Sequence, residues 1–281
     1  MSGFETWDHG TGVYVTYYLI LLVCVICACT ALWCRVGSSM YFAPCQQFVA
    51  YCIFFGMAAA TLGCAHQMVN KYYWDGHQPS RSWDEDHANL FLWAYFWAEI
   101  FYPLASVALL ALCLAVVRAQ PWGAPSVYAV GACASIYAGY VVMNAEIYVA
   151  AQFVVLFHFA TLVGNIVIMG VGGILNDRGA KRGKSWILLA LTIQLVVTLL
   201  VLLSPEACSE GPAARLAGCP FGEDFNEAVV CNLLLMVSIC ILCWGVVEAD
   251  WSEAEERAWL ALSKTIPADS AGSSWLPGSF L

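Results

Sequence analysis

Seven stretches of nearly continuous apolar sequence, at about 13–34, 43–68, 90–117, 126–143, 148–175, 185–203 and 228–247, divide the chain. Each is long enough to cross roughly 30 Å of hydrocarbon, which takes about 20 helical residues. The runs are apolar on every side rather than alternating, so they predict helices and not the strands of a barrel. In lipid a helix also satisfies its own backbone hydrogen bonds. The predicted fold is an all-α membrane protein of seven transmembrane helices forming one domain, since no repeat and no low-complexity linker interrupts it. Residues 1–12 read as a lead-in, 13–247 as the membrane domain and 248–281 as an acidic tail.

Composition agrees with that pattern. Of 281 residues 61% are hydrophobic and 11% charged, where a soluble domain carries about a quarter charged residues. The lead-in contains Glu5 and Asp8 but no lysine or arginine, so it lacks the basic region of a signal peptide and the first run is expected to stay as a span. Orientation follows from the cations. With the N-terminus outside, the inner side receives Arg35, Arg118, Arg178, Lys181, Arg182, Lys184, Arg257 and Lys264, against Lys71, Arg81 and Arg215 outside. This bias places the N-terminus outside and the C-terminus inside.

The net charge of −9 is concentrated in Asp84, Glu85 and Asp86 and in residues 248–256. No basic stripe supports nucleic-acid binding. In the tail, Trp251, Trp259 and Leu262 are spaced to share one face of an amphipathic helix, read as a solvated helix lying under the bundle. Such a tail offers a surface to a cytoplasmic or membrane protein partner, and the lipid-facing spans leave oligomerisation open. Most of the 14 cysteines fall inside apolar runs, where cysteine acts as a small hydrophobe and a four-cysteine zinc site is not expected. Cys208 and Cys219 differ: both lie between spans six and seven, and they are the pair a disulfide would join.

Polar groups inside the spans are few. The third span contains Trp93, Tyr95, Trp97, Glu99, Tyr102 and Pro103. Glu99 is the only acidic residue well inside any span, and a carboxylate there must face the bundle interior with a partner or stay neutral. Pro103 leaves the carbonyl of Glu99 without its amide donor, so a kink is expected at the same place. In span five, Asn165 lies two turns beyond His158 on roughly the same face. Glu99 and His158 lie at similar depth and could meet as a proton-binding pair, or His158 is a core histidine satisfied by a neighbouring group. His66, close to the end of span two, reads as interfacial. The unequal depths of the two histidines do not make a haem site. Asn144, Thr192, Gln194 and Thr198 are the polar residues of spans four and six and their edges, and nothing among them resembles a nucleophile with its base, so no enzymatic activity is expected.

The end of the chain resembles the microbial rhodopsins, channelrhodopsins in particular. Leu203-Ser204-Pro205-Glu206 closes span six, and span seven finishes Cys243-Trp244-Gly245-Val246-Val247, similar to the family's Gly-Pro-Glu turn followed by Cys-Trp-Gly. The resemblance implies a seven-helix, microbial-rhodopsin-like bundle around a pocket, with the pocket positions falling on Trp93, Trp97, Tyr102, Ile193, Val197, Val237, Ile241 and Trp244. It also exposes departures. The family's retinal-binding lysine falls on Ile241, its counterion on Val237, its third-helix arginine and acid on Ala94 and Trp97, and its sixth-helix Trp and Pro on Ile193 and Val197. The four lysines, Lys71, Lys181, Lys184 and Lys264, all lie outside the seven runs, so no covalent retinal is expected. Non-covalent retinal, another apolar ligand or simple aromatic packing would fill the pocket. The readings that remain are an opsin-like sensor or accessory protein without photochemistry, a proton-coupled transporter or ion channel using Glu99 and His158, and a structural subunit of a membrane complex.

Overall fold

The computed structural model describes residues 11–34, 44–68, 74–75, 78–79, 85–117, 123–144, 147–175, 181–203 and 227–265. Seven helices are long and apolar enough to span a bilayer: α1 (Thr11–Trp33), α2 (Pro44–Met68), α3 (Glu85–Val116), α4 (Gly123–Met143), α5 (Ile147–Leu175), α6 (Lys181–Leu203) and α7 (Glu227–Thr265). The protein is an integral, multi-pass membrane protein. Between α2 and α3 the described residues add one short antiparallel pair, β1 (Trp74–Asp75) with β2 (Gln78–Pro79). The lead-in up to residue 10 and the Cys208 and Cys219 pair lie outside the described residues.

The observed helices overlap all seven predicted runs, and the differences are at their ends. α2 opens on Pro44, whose missing N–H costs nothing in a first turn. α3 begins at Glu85, five residues before the predicted run. α6 begins at Lys181, so Lys181 and Lys184, expected in the loop, belong to its first turn. The tail differs most: instead of lying under the bundle it continues α7 as one helix to Thr265. No proline or glycine follows Gly245 before Thr265 to break it. From Asp250 onward it extends about 24 Å at 1.5 Å per residue.

The helices pack on one another in chain order and close a ring in which α7 packs against both α6 and α1. Contacts fix the register. Asn232 Nδ2 donates to Thr16 Oγ1 at 2.9 Å, Cys243 Sγ to Cys27 O at 3.5 Å, and Trp251 Nε1 to Cys34 O at 3.1 Å. These three contacts run evenly down α1 and α7, which are therefore parallel. On the other side of α7, glycine brings backbones together. A methyl group on Gly245 would lie 2.9 Å from Gly183 O, and Gly183 itself has φ +87°, the left-handed region that favours glycine.

The core is a cluster that includes Phe48, Tyr51, Leu109, Leu112, Ile187, Leu191, Ile239 and Leu242, each essentially inaccessible. The outer faces are also apolar, with Ile136, Tyr140, Leu156 and Val167 exposed, as a lipid-facing surface requires.

Candidate functional site

At the end of the bundle where α1, α3, α5 and α7 begin, a cavity of about 240 Å3 opens between six helices. Tyr17 and Ile20 of α1, Phe55, Ala59 and Leu62 of α2, and Ala98, Glu99 and Tyr102 of α3 form one side. Ala151, Val154, Val155 and His158 of α5, Val197, Thr198 and Val201 of α6, and Ala228, Cys231, Asn232 and Leu235 of α7 form the other. Only α4 contributes no lining residue.

The α3 wall follows from helical spacing. Tyr95, Glu99 and Tyr102 are four and three residues apart and share a face, and Glu99 is hydrogen-bonded to Tyr95. Glu99 is only 6% exposed, and its Oε2 has no hydrogen-bond partner. One turn on, Pro103 interrupts the helix's hydrogen-bond ladder. The backbone there is served from outside: Ser135 of α4 donates to Ile100 O at 2.7 Å. On the next turn, Ser106 Oγ donates to Tyr102 O at 3.0 Å.

His158 is 2% exposed, and its Nδ1 lies 2.8 Å from Ser106 Oγ. The Tyr102 ring meets the imidazole edge-on with centroids 5.1 Å apart. So Glu99 and His158 do share one cavity, but the polar partner seen for His158 is Ser106. His66, half-buried, stacks on Tyr17 with centroids 5.3 Å apart, beside the cavity and not in its lining. Thr198 lines the cavity and donates to Gln194 O at 2.8 Å. Gln194 Nε2 in turn donates to Tyr51 at 3.1 Å. Asn144 and Thr192 instead make local, exposed bonds to Tyr140 O and Leu188 O.

Asn165 is fully buried on α5, two turns below His158, and neither atom of its amide has a partner. It is not a cavity-lining residue. Pairing of Ser106 with His158 and of Val117 with Gly172 sets it level with the turn around Leu112.

Of the eight expected pocket positions, Tyr102 and Val197 line the cavity. The others do not, for a geometric reason. Successive helical residues are about 100° apart, so turning Glu99 inward turns Trp97 outward. Trp93 and Trp97 are 51% and 45% exposed, in an edge-to-face ladder through Phe96 on the outer surface of α3. On α7 the inward face is Ala228, Cys231, Asn232, Leu235, Ile239, Leu242 and Val246. Val237 and Trp244, each two residues from a member of that face, are exposed. Ile193 and Ile241 sit on the flanks, half-buried, and Ile241 packs against the central core.

The residues that spacing alone did not single out are Ser106, Ser135 and Asn232. The signal available for the first two was the pairing of a polar side chain with the Glu99-Pro103 turn. For Asn232 it was a single amide on an otherwise apolar run.

Among the described residues no three histidine, cysteine, aspartate or glutamate side chains group as metal ligands would. No family model matches the chain, and comparison with curated proteins and with solved structures yields no significant match.

Proposed function

We propose that this seven-helix protein is an opsin-like sensor without photochemistry, which binds a small molecule in the cavity and signals through α7. The observation that carries this reading is the cavity itself. Six helices converge on it, and it is blind: beyond its floor the bundle is filled by the packed cluster of Phe48, Tyr51, Leu109, Leu112 and Ile239. A site that gathers walls from most of the helices and stops at a dense core is suited to holding a ligand rather than passing one.

The resemblance of the last two spans to microbial rhodopsins supports the scaffold, and two features argue against its chromophore. Among the described residues no lysine lines the cavity: Lys181 and Lys184 begin α6 at the opposite end of the bundle. Size is the other. A cavity of about 150 Å3 holds benzene, so about 240 Å3 accommodates a ring with a short chain, roughly ten non-hydrogen atoms, and not the length of retinal.

The output is assigned to α7 because its first turns line the cavity and the same helix runs on past the bundle to Thr265. With the N-terminus outside, as the distribution of lysine and arginine suggests, the cavity faces outward and the extension meets a cytoplasmic partner.

The test is ligand-dependent thermal unfolding of the purified protein in nanodiscs, using small amphiphiles of this size. At a hundredfold excess over Kd a bound ligand stabilises by about 2.7 kcal/mol. Ala59→Phe and Ala98→Leu, which fill the cavity from two sides, should each remove the effect. Failure of every probe, or equal stabilisation of the filled variants, overturns the reading. Proton uptake into liposomes abolished by Glu99→Gln would favour the transporter alternative, which draws on the same Glu99 and His158.

A further inference from the structure

We propose that the ligand of the cavity is a small monocationic amine attached to an aromatic or alicyclic body, with its ammonium group held by Glu99. This inference rests on the reading of the cavity as a binding site and adds the chemistry of what fills it.

Three observations converge. Among the described residues Glu99 is the one carboxyl in the cavity lining, it is more than nine-tenths buried, and its Oε2 has no hydrogen-bond partner there. The partner seen for the side chain is a neutral hydroxyl, that of Tyr95. In a membrane interior a carboxylate left in that condition is costly, and a cation brought to it removes the cost. Among the described residues no lysine or arginine lines the cavity to serve as that cation.

The walls beside Glu99 suit a cation. Tyr17, Phe55 and Tyr102 all line the cavity, and aromatic faces attract ammonium groups, by more when water is excluded. His158 does not compete as a fixed partner: its Nδ1 is engaged by Ser106, and no hydrogen bond joins it to Glu99 Oε2.

The rest of the lining limits the ligand. Asn232 and Thr198 donate to Thr16 and to Gln194 O, and Ile20, Val154 and Val197 offer nothing to a second charge, so the remainder of the molecule is apolar. At about 240 Å3 it has a ring and a short linker, as an arylalkylamine does.

The experiment compares phenethylamine with propylbenzene, its uncharged isostere, and with 2-phenylethanol, a neutral donor. Binding is measured by ligand-observed NMR on protein in nanodiscs, with empty nanodiscs as the blank. We expect phenethylamine to bind the unmodified protein about ten- to a hundredfold more tightly than either neutral analogue, the difference a charge-assisted contact supplies. Glu99→Gln should reduce that preference to about one.

If the three probes bind alike to the unmodified protein, the amine assignment fails while the cavity reading stands. Binding of none of them, together with no response to other amphiphiles of this size, removes both. The comparison on the unmodified protein keeps the test decisive even where Glu99→Gln does not fold.

Discussion

Replacing Gly245 and Gly170 by alanine, one at a time, should change stability in opposite directions although the chemical change is identical. Both lie within helices, where alanine is preferred over glycine by about 0.5–1 kcal/mol. At Gly170 no atom outside its own helix turn lies within 4 Å of the added methyl, so the gain is realised. At Gly245 the methyl would lie 2.8 Å from Ile187 Cγ1, 2.9 Å from Gly183 O and 3.0 Å from Ile187 N. Ordinary carbon contacts are about 3.5–4.0 Å. Two of those three atoms are backbone and cannot rotate away, so α6 and α7 must separate at that turn. Overpacking of this kind costs about 1–3 kcal/mol. Because the helix preference cancels between the two variants, their difference isolates the overpacking, and Gly170→Ala should be more stable than Gly245→Ala by that amount. Reversible unfolding in mixed micelles, titrated with sodium dodecyl sulfate and followed by tryptophan fluorescence, measures it. Equal stabilities, or a more stable Gly245→Ala, would refute the close approach of α6 and α7.

Ile241→Lys introduces an amine where the family resemblance places the retinal lysine. Ile241 flanks the core and does not line the cavity, so with added retinal we expect no visible absorption band and a loss of folded yield, in keeping with a cost of about 2.5–3.5 kcal/mol for lysine at mid-span. A stable pigment would show that α7 is turned differently. Ser106→Ala leaves the buried Nδ1 of His158 without its hydroxyl neighbour and should cost about 1–3 kcal/mol in the same unfolding assay; a neutral result would mean that another group satisfies the imidazole. Thr16→Val removes the acceptor of the Asn232 amide while keeping shape. Interhelical hydrogen bonds in membranes average about 0.6 kcal/mol, so a loss of that order is expected, with a further loss from Asn232→Leu well below additive if the two residues act as one pair.

The spans were legible because lipid acts on composition: a continuous apolar run has no other way to satisfy its backbone. Their rotation about their own axes was not legible. Trp97 and Glu99 are both polar-tipped or aromatic residues of the kind a pocket uses, and only the neighbours of α3 decide which one faces inward. Once Glu99 is inside, helical geometry sends Trp93 and Trp97 to the surface. The same holds on α7, where the resemblance places the pocket on Val237, Ile241 and Trp244 while the face that packs inward runs through Leu235, Ile239 and Leu242. Apolar lining residues such as Ala59 and Leu62 carried no signal at all, since a small residue beside a cavity and one beside a packed neighbour read alike. The long α7 was missed for a different reason: the acidic sequence after Glu248 marks the membrane boundary but contains nothing that stops a helix.

The residues that prompted the comparison with rhodopsins acquire a structural explanation that owes nothing to light. Cys243 lies against the backbone of Cys27 on α1, Gly245 admits the backbone of Gly183 on α6, and Trp244 between them faces outward. A cysteine, an outward tryptophan and a glycine in that order are what a helix needs when it must be wedged between two close neighbours on adjacent faces. The presence of the three without a lysine at Ile241 is therefore coherent: the requirement to close the ring acts on Cys243 and Gly245, whereas nothing in ring closure acts on position 241. If that separation holds, Gly245→Ala should disturb the α6–α7 contact in the same measure whether or not the cavity is filled, and cavity-filling Ala59→Phe should abolish ligand binding with the α6–α7 contact intact. Dependence of one on the other would mean that ring closure and the cavity form a single cooperative unit.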